Sequence, residues 1–136
     1  MLSNHCGQCL LANAVLLSAY LDLLWKKRED LNLTSVQTKQ EIWDRHILDA
    51  LNAVNLIKQL DKTALNIADF GSGAGYIGLV IAIMFSKAKI TLVESLNKRC
   101  LFLNWVCLKL GLKNVEILNI KAGQKDIDKI LGNKTD

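Results

Sequence analysis

Apolar residues recur at helical spacing through the first sixty positions. Leu10, Ala14, Leu17, Leu21 and Leu24 share one face of a predicted helix, which the charged turn at residues 26–30 ends. Asn32-Leu33-Thr34-Ser35 reads as a loop with capping residues. A second helical region covers residues 41–60, with Ile42, His46, Asp49, Ala53 and Leu56 spread over its turns. From Leu65 the period changes. Residues 65–70, 90–93 (closing at Glu94) and 115–119 are short apolar runs that read as strands. Between them, residues 76–86 and 97–110 read as helices, the second stopped by Gly111, and residues 126–131 form one more short helix. Strands alternating with helices imply a parallel sheet covered on both faces. Three strands amount to one mononucleotide-binding half of a doubly wound sheet. The predicted class is therefore α/β. Residues 1–64 are an N-terminal helical extension and residues 65–136 a Rossmann-like half, the front part of a larger enzyme.

The first strand runs into Asp69-Phe70-Gly71-Ser72-Gly73-Ala74-Gly75-Tyr76-Ile77-Gly78. Glycines at alternate positions let a backbone turn sharply and approach a ligand closely, and a helix start follows at once. Two motifs overlap here. Gly73 to Gly78 satisfies GxGxxG, the dinucleotide fingerprint, and Asp69 to Gly75 satisfies DxGxGxG, the pattern of S-adenosyl-L-methionine (AdoMet) methyltransferases. The second adds an acid and a third glycine in register. Asp69 is placed to receive a methionine ammonium, whereas a pyrophosphate would be repelled by it. Glu94 ends the next strand 19 residues after Gly75, where a carboxylate accepts ribose hydroxyls. NAD sites use an acid in the same place, so Glu94 supports an adenosine ligand without naming it. AdoMet is the favoured cofactor. An NAD-binding oxidoreductase is the alternative.

Composition narrows the class. In 136 residues, 51% are hydrophobic and 22% charged, which fits a single folded domain rather than a disordered chain. The net charge of +4 is compatible with an anionic partner, and equally with a solvated lysine-rich surface. Cys6 and Cys9 form a CxxC, but no strand precedes it and no second pair has zinc spacing, so no metal is expected. Cys100 and Cys107, like Trp25, Trp43 and Trp105, read as core residues. No secretory signal is visible, which points to a cytoplasmic protein with reduced thiols. The run 10–25 is broken by Asn13, Ser18 and Asp22 and reads as too short and polar for a membrane span.

The loop, together with Thr91-Leu92-Val93-Glu94-Ser95-Leu96-Asn97-Lys98-Arg99, Phe102-Leu103 and Leu110-Gly111-Leu112-Lys113-Asn114-Val115, resembles the bacterial small-subunit ribosomal RNA guanine-N7 methyltransferases. Upstream, Asn32-Leu33-Thr34-Ser35-Val36 and Arg45-His46-Ile47-Leu48-Asp49-Ala50-Leu51 resemble the same family's signatures, and generic methyltransferases lack the second of these. The likeness covers most of residues 20–122. It implies a cytoplasmic class I methyltransferase with AdoMet as cofactor and ribosomal RNA of the small subunit as partner. It also implies ligand contacts at Gly71, Tyr76 and the pair Ala122-Gly123, beside Asp69, Ser72, Gly73, Gly75 and Glu94 of the motif. Ile77 stands where the family has proline, Ala50 where it has serine, and Lys121-Ala122-Gly123 replaces an Arg-Ala-Glu-like segment. The family's later strands have no counterpart, so the chain reads as truncated, with an inactive remnant that only binds AdoMet or RNA as a further alternative.

Guanine N7 is an unprotonated lone pair that attacks a sulfonium methyl in line without a general base, so no catalytic side chain is assigned. In RNA helices N7 faces a deep, narrow groove, and the target must be unstacked. Arg45, His46, Lys98 and Arg99 are the candidate RNA contacts, with Lys26, Lys27 and Arg28 as further phosphate candidates. A monomer of poor stability is expected, with the third-strand side of the sheet uncovered.

Overall fold

The computed structural model describes residues 3–32, 36–60, 64–121 and 123–132. Helix α1 (Ser3–Lys27) is followed by a short helix α2 (Lys39–Ile42), a π-helical turn (Trp43–Ile47) and α3 (Leu48–Lys58). The α/β part is β1 (Asn66–Phe70), α4 (Gly78–Met84), β2 (Lys89–Glu94), α5 (Asn97–Leu110), β3 (Val115–Asn119) and α6 (Gln124–Gly132).

The strands form one parallel sheet in the order β1-β2-β3, with Phe70 beside Val93 and Glu94 beside Asn119. This is the expected parallel α/β half-sheet. β2 is central, and its residues from Ile90 to Glu94 are all buried, which is why that run is apolar but for Thr91 up to the terminal acid. β1 and β3 are both edges. The uncovered edge expected on the third-strand side is therefore matched by a second one at β1. Asn114, just before β3, donates its side-chain amide to Ala82 O (3.1 Å) and Phe85 O (3.0 Å). It thereby satisfies carbonyls left open at the C-terminal end of α4. Gly111 ends α5 at φ 67°, and Leu112 N–H closes back on Cys107 O at 3.0 Å, a Schellman stop.

The apolar face of α1 differs from the one read in the sequence. Leu17, Tyr20 and Leu24 are buried, while Leu10 and Ala14 are exposed. The C-terminal half of the helix packs on α4 and α5, and its N-terminal half lies outside that contact. The membrane expectation is corrected on length and polarity: Gln8–Lys27 is long and apolar enough to cross a bilayer. Its buried face nevertheless belongs to the same core as α4 and β2.

The second helical region is not one α-helix. Leu48 N–H reaches back five residues to Trp43 O, which widens one turn. Ile42 and Ile47, five apart, thus share one fully buried side, and Ala50 and Val54 continue it at α spacing. Leu56, placed on this helix's turns in the sequence, is exposed. Thr38 caps the region by accepting Glu41 N–H (3.2 Å), while Glu41 accepts Gln37 N–H (2.7 Å). Leu33, Thr34 and Ser35 of the expected capping loop lie outside the described residues.

Candidate functional site

The glycine loop begins by folding over the end of β2. Gly71 and Ser72 both donate their N–H groups to Val93 O, at 2.8 and 3.2 Å. Gly75 N–H then closes a tight turn on Ser72 O at 2.8 Å, and Leu79 N–H on Gly75 O at 2.9 Å starts α4. The helix proper opens at Gly78, two residues later than the sequence pattern predicts.

The loop's glycines serve two different needs. Gly71 and Gly73 have φ of 72° and 57°, and a Cβ placed on either meets nothing closer than 4.0 Å. Their missing side chains leave open space above the loop, a cradle that a ligand can enter. Gly75 and Gly78 are closed in. A Cβ on Gly75 would lie 2.5 Å from Leu79 and 2.9 Å from Leu103, and one on Gly78 would overlap Leu92.

Asp69 is spent largely on the fold. Its Oδ2 accepts Gly78 N–H at 3.2 Å and so caps α4, while Ser72 Oγ donates to Asp69 O at 2.9 Å. Burial pushes the Asp69 carboxyl above its ordinary value, only partly opposed by the bonds from Gly78 and Ser72. A carboxylate already sits where a phosphate would seek the helix N-terminus. The loop therefore opposes a pyrophosphate and favours a ligand carrying positive charge.

Glu94 is 4% exposed. Its Oε2 accepts Gly73 N–H at 3.1 Å, its Oε1 accepts Leu96 N–H at 3.3 Å, and Arg99 approaches Oε1 at 3.7 Å. The carboxylate thus stitches the loop to the end of β2. It retains lone pairs for further hydroxyl donors, since a carboxylate offers about four acceptor sites. Arg99, read from sequence as an RNA contact, is turned toward this acid, and its Nε is buried without a partner among the described residues.

The N-terminal helices reach the loop at two points. Tyr20, fully buried on α1, donates its hydroxyl to Ala74 O at 2.6 Å. His46, on the π turn, lies flat on the ring of Tyr76, with centroids 4.0 Å apart and planes 7° from parallel. Burial lowers the His46 pKa and raises that of Tyr76. His46 and Tyr76, assigned in the sequence to different ligands, are thus brought together. Tyr20 was not singled out as a site residue. A tyrosine on the apolar face of a helix has no sequence signal for a bond to a loop 54 residues away.

The remaining candidates are dispersed. Arg45 is mostly exposed and pairs with Glu41 at 3.7 Å. Lys98 lines an open groove of about 330 Å³ between α1 and α5 with Lys27, Phe102 and Trp105. Lys27 also stands 5.6 Å from the Trp105 ring, and Arg28 lies 3.7 Å over Trp25. Gly123 opens α6, its N–H on the Asp126 carboxylate at 3.2 Å, and Ala122 lies outside the described residues. Among the described residues, no three His, Cys, Asp or Glu side chains are grouped to hold a metal. Cys100 and Cys107 sit in or against the core as expected, Cys9 is exposed, and the side chain of Cys6 lies outside what is described.

Residues 13–131 match the model of the family GidB, described as rRNA small subunit methyltransferase G. The chain belongs to this family. A ribosomal RNA small subunit methyltransferase G of Mycoplasma mycoides subsp. mycoides SC is 41% identical over 106 residues, covering 78% of this chain and 75% of that protein. The protein of the same name from Clostridium perfringens is 44% identical over 103 residues, covering 76% of this chain but 42% of that protein. For the Mycoplasma capricolum relative the identity is 40%, and 45% of its length is covered. The chain thus spans under half the length of these last two. Among solved structures, a SAM dependent methyltransferase from Aquifex aeolicus aligns with a TM-score of 0.46 and 24% identity, over 60% of this chain and 45% of that one.

Proposed function

We propose that this chain binds AdoMet at the glycine loop and serves methyl transfer to guanine N7 of small-subunit ribosomal RNA, as a cytoplasmic monomer. The observation that carries the cofactor reading is the pairing of a half-buried acid, Asp69, and a buried one, Glu94, with an open cradle. Asp69 occupies the start of α4, Glu94 closes β2, and nothing fills the space over Gly71 and Gly73. That arrangement favours a positively charged adenosine ligand over the NAD alternative, whose pyrophosphate needs the helix start that Asp69 takes.

AdoMet supplies a methyl group on a sulfonium. The residues' part is to hold and orient. Gly71, Ser72, Gly73, Gly75 and Tyr76 offer backbone and ring surface, Glu94 accepts the sugar hydroxyls, and Gly123 with Ala122 lies beyond the end of β3. Arg45, Lys98 and Lys26 are the exposed cations among the phosphate candidates, giving salt-dependent, sequence-blind affinity. Residues 1–64 act in this reading as an extension that braces the loop from below, and residues 65–136 as the cofactor-binding half.

Calorimetry with AdoMet, S-adenosylhomocysteine and NAD tests the reading, and binding of NAD alone would overturn it. Gly73→Val, which puts a branched side chain into the cradle, abolishes AdoMet binding, and unchanged affinity would count against the loop. A second reading is binding without transfer. Methyl transfer to naked or ribosome-bound small-subunit RNA separates the two.

A further inference from the structure

We infer that Tyr20 and His46 are positioning residues that hold the glycine loop in its ligand-ready shape. The inference rests on the AdoMet reading above and concerns how the N-terminal helices take part in it. Ala74 sits between Gly73 and Gly75, at the point where the chain has the fewest side chains to fix it. Its carbonyl is held by the Tyr20 hydroxyl at 2.6 Å, from a ring that is 0% exposed. Two residues on, the Tyr76 ring is held against His46. Gly75, the most tightly packed residue of the three-glycine motif, lies between these two anchors.

The physical need is clear. Gly71, Gly73 and Gly75 all have positive φ, and glycine explores such conformations freely on either side of zero. Ordering them on binding is an entropic cost charged against affinity unless something orders them beforehand. Glu94 fixes the Gly73 amide from the sheet side. Tyr20 fixes the Ala74 carbonyl of the same turn from α1, and His46, on the π turn, stacks on Tyr76. An unbroken α-helix would turn His46 to a different position around the axis relative to Ile42.

The test uses the full chain and S-adenosylhomocysteine. Tyr20→Phe keeps the ring and its packing but leaves Ala74 O unpaired, and it is expected to weaken binding roughly tenfold. It should also speed amide exchange at Gly75, whose N–H closes the turn on Ser72. Leu17→Ala, one turn earlier on the same buried face, lowers the melting temperature but leaves affinity within about twofold. His46→Ala weakens binding about three- to tenfold, and His46→Phe restores it, because the flat ring rather than the imidazole nitrogens makes the contact. Equal affinity of Tyr20→Phe and wild type overturns the inference. So does a loss in Leu17→Ala that keeps step with Tyr20→Phe, or failure of His46→Phe to rescue. Absence of binding by the wild-type chain brings down the AdoMet reading itself, which is a separate outcome. If Tyr20→Phe does not fold, the His46 pair still decides.

Discussion

Gly73→Ala and Gly75→Ala form a matched pair that separates backbone strain from packing. Both glycines have positive φ, 57° and 79°, so each alanine carries a left-handed penalty of about 1–2 kcal/mol that largely cancels in the comparison. What remains is the methyl group's surroundings. On Gly73 it meets only Gly71 O at 4.0 Å. On Gly75 it falls 2.5 and 2.7 Å from two atoms of Leu79 and 2.9 Å from Leu103, where ordinary carbon contacts need roughly 3.5–4.0 Å. Both leucines are 0% exposed and belong to the one buried core cluster, so neither can swing into solvent. Overpacking of that kind costs about 1–3 kcal/mol. For a chain of this size that corresponds to roughly 3–15 °C in melting temperature. Thermal and urea unfolding followed by circular dichroism at pH 7 should therefore place Gly75→Ala below Gly73→Ala by that margin. Equal melting, or the reverse order, would refute the division of the glycines into an open pair and a packed pair.

Asp69→Asn should leave stability unchanged in acid and raise it at pH 7, while weakening AdoMet binding. Because the folded carboxyl lies above its ordinary value of 3.8, wild type loses stability as pH rises from there through the folded value, and the amide, which can still accept Gly78 N–H, does not. A pH-stability profile that is parallel for the two proteins would contradict this. Asn114→Ala removes both bonds to the end of α4 and should cost about 1–3 kcal/mol by urea unfolding, and a loss under about 0.5 kcal/mol would show that water replaces them. In a Cys6→Ser background at pH 8, a thiol reagent should modify exposed Cys9 quickly and Cys107, whose thiol is pushed up to about 11 by burial, far more slowly. Comparable rates at the two sites would mean that the helix carrying Cys107 opens readily.

Much of the α/β part was legible because its signals are local. The period of β2, the glycine after α5 and the apolar run of β3 each lie within a few residues of the boundary they set, and α5 and β3 begin and end where the pattern places them. The glycine loop was equally readable, since alternating glycines after an apolar strand have few other uses. The N-terminal helices were read less well. A π turn is invisible to an α-period search, because Ile42 and Ile47 fall on one face only once the extra residue has been accommodated. The buried face of α1 was set by what packs on it, so Leu10 and Ala14 satisfied the pattern yet ended outside.

The order of residue types along the chain, by itself, determined the alternating elements, the acid-and-glycine turn and the family likeness, because each depends on neighbours in sequence. Only the tertiary structure decided what the acids and rings are bonded to: Asp69 on Gly78, Glu94 on Gly73, Tyr20 on Ala74 and His46 on Tyr76. Three of these four contacts join segments 21 to 54 residues apart, and the fourth, Asp69 to Gly78, closes only once the loop has turned. Hydrogen bonds and ring contacts of that range depend on how helices seat on the sheet, and no local pattern encodes that seating.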